Sequence, residues 1–281
     1  MLRYASGTKK VVIYTIVALA ALWIFTPIFW AITNSFKPDL KLFEPGAFLP
    51  WLQYQPTLKQ WRFTLDTAPV LKNLSNSVIV AVGATAVCLF IGSFAGYALS
   101  RYKYRLVRSG SLMTSMLAVR ILPPVVLVIP IFLIMMHINL LDTRLGLIIV
   151  NVTFQLPYAI LIMHSSYEGV PLELEESAIV DGANEYQIFF HIAFPLAING
   201  LVAAALIIFA FSWNELLFAL TLTGKESQTV PVLILASRAT RGVRFGYAAA
   251  NTLVAIAPPI LLTILLQRRL ATGLTMGAVK G

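Results

Sequence analysis

Six long runs of mostly apolar residues limit what this 281-residue chain can fold into. A helix needs about 20 such residues to cross the roughly 30 Å hydrocarbon layer of a membrane. The runs that are long enough cover residues 11–33, 74–100, 112–136, 145–166, 196–222 and 247–266. The sequence therefore predicts an all-α polytopic membrane protein with six transmembrane helices, called here the first to sixth spans.

The composition excludes several other classes of protein. Hydrophobic residues make up 58% and charged residues 12% of the chain, whereas a soluble domain has about 25% charged residues. So few polar residues cannot cover the core of a cytosolic enzyme, and so apolar a chain is not disordered. The single Cys88 can form no internal disulfide, which excludes a disulfide-stapled secreted domain.

Basic residues indicate the orientation in the membrane. Six spans put both termini on one side, and dense Lys and Arg near span ends mark the cytoplasmic side. With the termini inside, ten basic residues lie on each side, but the inner ones are concentrated in short segments such as residues 101–108. We therefore expect both termini in the cytoplasm, and no nucleic-acid partner despite the net charge of +9. The first span is longer than a signal core, so we expect it to remain as an anchor.

The chain shows no internal repeat or long linker, which predicts one membrane domain with flanking segments. Residues 1–73 hold the first span and an external loop, residues 74–266 the core, and residues 267–281 a cytoplasmic tail. The external loop is rich in proline and has aromatic residues of the kind found at headgroup level, namely Trp51, Tyr54 and Trp61. It is either a packed loop with interfacial anchors or a docking surface, and its composition favours the first.

The second and third spans have distinctive small residues and prolines. The second carries a row of small residues four apart, Ala84, Cys88, Gly92, Gly96 and Ser100. Small residues let helix backbones approach closely in lipid, so we expect this span to be buried against another helix, whose identity the row does not give. The third span contains Pro123, Pro124 and Pro130, and we expect it to be kinked.

Half of the twelve acidic residues lie between the fourth and fifth spans, in a segment that we call the acidic loop (residues 167–195). Pro171 suits the first position of a helix, and Gly182 suits the left-handed conformation that ends one. Asn184 and Gln187 match a capping pair that opens a second helix. The loop is therefore predicted to form a helix, a sharp turn and a second helix, with the fifth span starting near Pro195.

Two arrangements could place such a helix pair on the cytoplasmic side. A helix that lies on the membrane is normally rich in Lys and Arg, because the inner leaflet is anionic. The acidic loop has the opposite charge, and no Lys or Arg occurs between residues 145 and 224. Docking on another protein explains this charge better than contact with lipid does.

The acidic loop resembles the EAA loop of bacterial ATP-binding-cassette (ABC) importer permeases. That loop reads Glu-Ala-Ala, three residues, Gly, nine residues, Ile, one residue and Leu-Pro. The matching positions here are Glu176, Ser177, Ala178, Gly182, Ile192, Phe194 and Pro195, with Ser177 and Phe194 as departures. Residues 76–77, 141–143, 213–217, 229–232 and 273–281 are similar to the carbohydrate-uptake branch, in particular to the smaller six-span permease of maltose-type importers.

The resemblance implies a type I ABC importer permease in the bacterial inner membrane, working in a heteromeric complex. Its partners would be a second permease, a dimer of cytoplasmic ATPases that bind ATP-Mg, and an extracytoplasmic sugar-binding protein. This chain itself would bind no cofactor or metal. The residues implied to couple to the ATPase are Glu176, Ser177, Ala178, Asp181, Gly182, Ile192 and Pro195. Among them, Gly182 would make the turn, Ala178 would allow close approach, and Glu176 and Asp181 would hydrogen-bond to the ATPase.

Polar residues inside the spans admit two interpretations. Intramembrane polar groups either line a substrate pathway or hold helices together through hydrogen bonds. Sugar sites pair aromatic rings with hydrogen-bonding groups, which draws attention to Trp213, Asn214 and Glu215. Further candidates for the pathway are Arg120, Asn151 and Gln155, while His164 is expected to be interfacial and Asn251 has less support.

The sequence carries no set of catalytic residues. Gly224-Lys225 superficially resembles a phosphate-binding loop, but Ala219 and Glu226 stand where Gly and Ser or Thr are required. The alternative to an ABC permease is a stand-alone secondary transporter or channel subunit. Such a transporter would show inverted repeats and intramembrane carboxylates that bind a coupling ion, and the sequence offers at most one such carboxylate, Glu215.

Overall fold

The computed structural model describes residues 7–42, 44, 46, 48–67, 69–102, 109–119, 121–236, 238–239, 242–243 and 245–276. These residues are mostly helical, with one short antiparallel pair of strands, β1 (Arg238–Ala239) and β2 (Gly242–Val243). The α-helices are α1 (Gly7–Ser35), α2 (Lys59–Arg62), α3 (Val70–Arg101), α4 (Ser109–Val119), α5 (Val128–His137), α6 (Arg144–Glu168), α7 (Leu172–Val180), α8 (Glu185–Ile188), α9 (Phe194–Leu196), α10 (Ile198–Trp213), α11 (Leu217–Leu222), α12 (Val230–Ala236) and α13 (Phe245–Met276). The 3-10 turns are Asp39–Lys41 and Pro124–Leu127, and the π-helical turns are Phe63–Thr67 and Phe189–Ala193.

Four helices of the described chain are long and apolar enough to cross a membrane, namely α1, α3, α6 and the first 23 residues of α13. The bent run from Glu185 to Trp213 makes a fifth if its two parts form one span. These helices match the first, second, fourth, sixth and fifth predicted spans. The multi-pass helical fold is confirmed, while the count of six and the side of the termini stay predictions.

The third predicted span is not one kinked helix. α4 ends at Val119, and α5 begins at Val128 after the 3-10 turn at Pro124–Leu127. Pro123 is extended, with ψ 128°, because a residue that precedes a proline is pushed out of the helical region. The adjacent prolines therefore break the helix where the sequence predicts only a bend.

The fifth predicted span is also interrupted. Its helix α10 begins at Ile198, three residues after the predicted start at Pro195, and ends at Trp213, well before the predicted end at residue 222. Leu217 then begins the separate helix α11. At the other end, the run Glu185–Leu196 meets α10 at 70°.

The chain folds into two compact units, Met1–Leu71 with Leu233–Ile256, and Lys72–Val232 with Ala257–Gly281. In the first unit, the external loop packs against the end of α1. The Tyr54 hydroxyl donates to the Thr33 carbonyl at 3.0 Å, and the Trp61 indole donates to Ser35 Oγ at 3.2 Å. Tyr54 and Trp61 are thus held against α1, whereas Trp51 is 74% exposed, and the choice between a packed loop with interfacial anchors and a docking surface stays a prediction.

In the second unit, the small-residue row of α3 lies against α6. A Cβ on Gly92 would stand 2.6 Å from the Ala159 Cβ, and a Cβ on Gly96 would stand 2.8 Å from the His164 amide nitrogen. Cys88, in the same row, is fully buried. The predicted burial of this row is confirmed, and its partner is a helix of the same chain.

The turn before α6 and the segment after α11 meet in a cluster that we call the Asp142 knot (residues 142 and 224–228). The Asp142 carboxylate accepts hydrogen bonds from the amides of Lys225, Glu226 and Ser227 at 2.9–3.2 Å. Burial raises the pKa of Asp142, but hydrogen bonds from Ser227, Gly224 and Glu226 outweigh burial and lower this pKa from 3.8 to about 2. The carboxylate therefore holds the loop after α11 in one conformation.

Asn76 on α3 connects a third part of the chain to the Asp142 knot. Its amide nitrogen donates to the carbonyls of Glu226 at 2.9 Å and Gln228 at 2.8 Å. Its Oδ1 accepts a hydrogen bond from Arg144 Nε at 2.7 Å. Asn76 is fully buried, so all three contacts are needed to replace hydrogen bonds to water.

Candidate functional site

The first half of the acidic loop folds into the predicted helix and turn, although Pro171 lies at the N-cap of this helix and not at its first position. α7 begins directly after Pro171 and ends at Val180, and Gly182 follows with φ +83°. The Gly182 and Ala183 amides donate to the carbonyls of Ile179 at 3.0 Å and Ala178 at 2.9 Å. These two bonds satisfy carbonyls at the helix end that would otherwise lack partners, and they fix the sharp turn.

The second half opens with the predicted capping pair. The Gln187 amide donates to Asn184 Oδ1 at 3.0 Å, and the Asn184 amide donates to Gln187 Oε1 at 2.9 Å. α8 follows, and its last residue Ile188 is buried together with Phe189. The Phe189 ring packs against Phe94 at 4.8 Å between centroids, so the second short helix is anchored to α3.

The outer face of the acidic loop presents both acidic and apolar side chains. Glu176, Ser177 and Asp181 are exposed, and beside them Val180 is 88% and Tyr186 77% exposed. Apolar patches rimmed by polar side chains occur where a protein contacts another protein or a membrane. Ala178 and Ile192 are half-buried and Pro195 is exposed.

The backbone conformation at position 182 favours glycine, whereas the space around this position would admit a side chain. Its φ of +83° lies in the left-handed region, which side chains with a Cβ rarely adopt. A Cβ placed there would meet no other group within 4 Å. The turn is therefore sensitive to substitution through backbone strain, while the space around it stays open.

The inner face of the same loop contains an ion pair that no pattern in the sequence predicts. Glu175 Oε1 accepts hydrogen bonds from Arg101 Nε at 3.0 Å and Nη2 at 2.8 Å, and Tyr97 donates to Glu175 Oε2 at 2.9 Å. Arg101 Nη2 also donates to the carbonyls of Tyr167 at 2.9 Å and Val170 at 3.1 Å. In the sequence, Arg101 belongs to the basic segment 101–108 and Glu175 to the acidic loop, and no local pattern joins residues 74 positions apart.

The Trp213–Glu215 triplet lies at the break between α10 and α11. Trp213 is buried and stacks on Phe209 at 5.5 Å between ring centroids. The Glu215 carboxylate accepts hydrogen bonds from the amides of Phe218 at 2.8 Å and Ala219 at 2.9 Å. Glu215 thus satisfies the first amides of α11, which is a structural role.

The other polar residues predicted for a pathway have varied surroundings. Asn214 is exposed, and its amide donates to the Ala210 carbonyl at 2.8 Å. Asn151 and Gln155 are buried inside the second unit. Arg120 lies outside the residues that the structure describes. His164, expected to be interfacial, is buried with its ring 3.5 Å from Glu168.

No three His, Cys, Asp or Glu side chains of the described residues lie close enough together to hold a metal ion.

Comparison with known proteins identifies the family. Residues 88–275 match the family model described as "Binding-protein-dependent transport system inner membrane component". The chain belongs to this family. It is therefore a multi-pass inner-membrane component of a transport system, and in this family ATP hydrolysis resides in a separate subunit. Family membership decides against the stand-alone secondary transporter or channel.

Individual relatives match along most of their length. A probable ABC transporter permease protein, y4oR of Sinorhizobium fredii, is 32% identical over 98% of each chain. The trehalose transport system permease protein SugB of Mycobacterium tuberculosis is 35% identical over 91% of this chain and 92% of its own. A solved bacterial ABC transporter that imports alginate aligns with a TM-score of 0.76 at 20% identity, over 94% of this chain and 98% of that one. This likeness shows that the chain has the fold of an ABC importer permease.

Proposed function

We propose that this family member is a permease subunit that carries a sugar or related carbohydrate across the bacterial inner membrane, driven by ATP hydrolysis in a partner. The proposal for the substrate rests on relatives named for carbohydrate transport. These relatives are the trehalose permease SugB, the sulfoquinovosyl glycerol permease SmoH of Agrobacterium fabrum and the diacetylchitobiose permease DasC of Streptomyces coelicolor, which are 31–35% identical to this chain.

The proposed complex contains a second permease as heterodimer partner, two ATPase subunits with ATP-Mg, and an extracytoplasmic sugar-binding protein. The observation that carries the coupling part of the proposal is the two-sided acidic loop. Its inner face is fixed to the membrane helices through Glu175 and Phe189, while its outer face leaves Val180 and Tyr186 exposed. A stiff element with an uncovered outer face can receive motion from a partner and pass it on as a unit.

Individual residues then take distinct roles in that contact. Glu176 and Asp181 are exposed carboxylates that can form charge-assisted hydrogen bonds to basic groups of the ATPase. Ser177 and Ala178 provide small side chains where the partner approaches, and Gly182 keeps the turn closed. Ile192 and Pro195 connect the loop to α10.

The residues predicted for the substrate pathway can be ranked by their surroundings in the structure. Asn214 is exposed in this subunit, so it can face a passage shared with the second permease. Trp213, Glu215, Asn151 and Gln155 already have packing or hydrogen-bonding roles inside the subunit. Arg120 stays a prediction from the sequence.

Cross-linking in intact membranes tests the coupling proposal. A cysteine at Ser177 that carries a thiol-attached photoreactive group should be cross-linked to the ATPase subunit when the complex is assembled. The matched control is a cysteine at Leu40, which is 94% exposed in the external loop and should not reach the ATPase. The native Cys88 is fully buried and adds no background. Capture of lipid alone at position 177 would contradict the proposal.

The substrate class is tested through the binding protein. The complex is purified from its native source with the binding protein attached, and the small molecule held by that protein is identified by mass spectrometry. A sugar, polyol or glycoside is the expected result. An amino acid, peptide or metal ion would overturn the carbohydrate assignment without touching the coupling assignment.

A further inference from the structure

One buried cluster joins three helical segments at the inner face of the acidic loop. It consists of Tyr97 and Arg101 in the last turns of α3, Tyr167 at the end of α6, Val170 just beyond α6, and Glu175 in α7; we call it the Arg101 clamp. The side chains of Arg101 and Glu175 are only 11% and 7% exposed. Five hydrogen bonds of 2.8–3.1 Å connect the members.

The hydrogen bonds of the Arg101 clamp compensate for the cost of burying its two charged side chains. Taking two charges out of water is costly unless the pair is close and its remaining polar atoms are satisfied. Both carboxylate oxygens of Glu175 accept hydrogen bonds, and the guanidinium of Arg101 binds two carbonyls besides the carboxylate. Removing one partner would leave the other charge buried without compensation.

The positions of these bonds determine which parts can move independently. Arg101 is the last residue of α3, and its carbonyl partners Tyr167 and Val170 lie at the end of α6 and just beyond it. Glu175 lies in the middle of α7. Tilting α7 alone would stretch the bonds to both other helices.

We propose that the Arg101 clamp makes α7 and the inner ends of α3 and α6 move as one rigid body. Arg101 and Glu175 are thus positioning residues for coupling. This inference rests on the proposed function, because it assumes that α7 is the element that the ATPase displaces. Movement of α7 would then reach the small-residue interface of α3 and α6 directly, without passing through the turn at Gly182.

Distance measurements between two spin labels in the assembled complex test this proposal. Tyr102 directly after α3 and Leu172 at the start of α7 are 45% and 50% exposed, so cysteines there can be labelled. Pulsed electron spin resonance is recorded in proteoliposomes with and without the ATP analogue AMP-PNP and Mg²⁺. We expect a narrow distance distribution that the nucleotide does not change.

The variant Glu175→Gln removes the charge and keeps the shape of the side chain. We expect its distance distribution to be about twofold broader and sensitive to AMP-PNP, because the Arg101 charge loses its counter-ion. The matched control is Glu173→Gln, which removes the same charge from an exposed position of the same helix and should leave the distribution narrow. If Glu175→Gln does not assemble, Tyr97→Phe removes one hydrogen bond and should broaden the distribution to a smaller extent.

Each outcome bears on one proposal. An equally narrow distribution in Glu175→Gln and Glu173→Gln would overturn the clamp, as would a nucleotide-dependent distance in the parent protein. Failure of the Ser177 cross-link to the ATPase would instead overturn the proposed function, even with an intact, narrow distribution. The cross-link at Ser177 in the Glu175→Gln variant shows that the ATPase is still bound when the distances are measured.

Discussion

A single substitution at Gly182, in the turn after α7, is expected to impair coupling to the ATPase while the subunit stays folded in the membrane. Val at this position must adopt a φ of +83° or open the turn. A left-handed conformation costs an L-residue about 1–2 kcal/mol, and a β-branched residue lies at the upper end. Because no other group of this chain lies within 4 Å of the new Cβ, we expect the backbone cost to be the main effect of the substitution within the subunit. Asn tolerates the left-handed region, which makes Gly182→Asn the matched control.

The backbone cost can be converted into an expected change in function. One or two kcal/mol alter a conformational equilibrium by a factor of about 5–30. We expect uptake by Gly182→Val to fall to about one tenth of the parent rate or less, with Gly182→Asn near the parent and Gly182→Ala between. The assay is cellular uptake of the carbohydrate identified in the co-purified binding protein, normalised to the amount of subunit in the membrane.

Two results would refute this reasoning. Uptake by Gly182→Val at the parent rate would show that the closed turn is not needed for coupling. If uptake falls as far in Gly182→Asn as in Gly182→Val, then φ is not the cause, and position 182 must lack a side chain for another reason. That result would mean that the partner approaches this position closely. Loss of the subunit from the membrane would point to an insertion defect, so membrane abundance is measured in parallel.

Two further predictions concern stability. Gly92→Ala places a Cβ 2.6 Å from the Ala159 Cβ and should cost about 1–3 kcal/mol through overpacking. Thermal unfolding in detergent should show a larger loss of stability than for Gly83→Ala, whose Cβ meets only side-chain atoms of Ile148, the nearest being its terminal Cδ1. Equal losses would contradict tight packing of α3 on α6. The pKa of Asp142 is about 2 in the folded protein against 3.8 ordinarily, so its stabilising effect is present above pH 4 and lost as the pH falls from 4 to 2. Asp142→Asn should be less stable than the parent at pH 7 and lose less stability over that acid range, and an unchanged acid dependence would refute the assignment.

The acidic loop can be predicted from the sequence because its signals are local. Gly182 and the pair Asn184–Gln187 each act on atoms only a few residues away, and both appear in the structure in the predicted role. Pro171 also marks the start of α7, but it lies at the N-cap, one position before the predicted one. Propensity and capping rules describe such short-range interactions directly. The same reasoning predicts the burial of Gly92 and Gly96 but not their partner, since spacing along one helix carries no information about the other.

The sequence misleads where a local feature interrupts a long apolar run. Averaging hydrophobicity over about 20 residues conceals the short break around Asn214, so α10 and α11 merge into one predicted span. Glu215 then stands out as a lone intramembrane carboxylate suited to a substrate, whereas it accepts hydrogen bonds from the amides of α11. Similarly, the prolines at 123 and 124 predict a bend in a helix that they instead terminate.

The contacts of Asn76 impose an order on biosynthesis. Its amide group needs the carbonyls of Glu226 and Gln228, which are synthesised about 150 residues later. At 5–20 residues per second this delay is about 8–30 s. During that time α3 exists without the acceptors that its buried amide requires, so another group, such as water, must hydrogen-bond to this amide until residues 226 and 228 have left the ribosome.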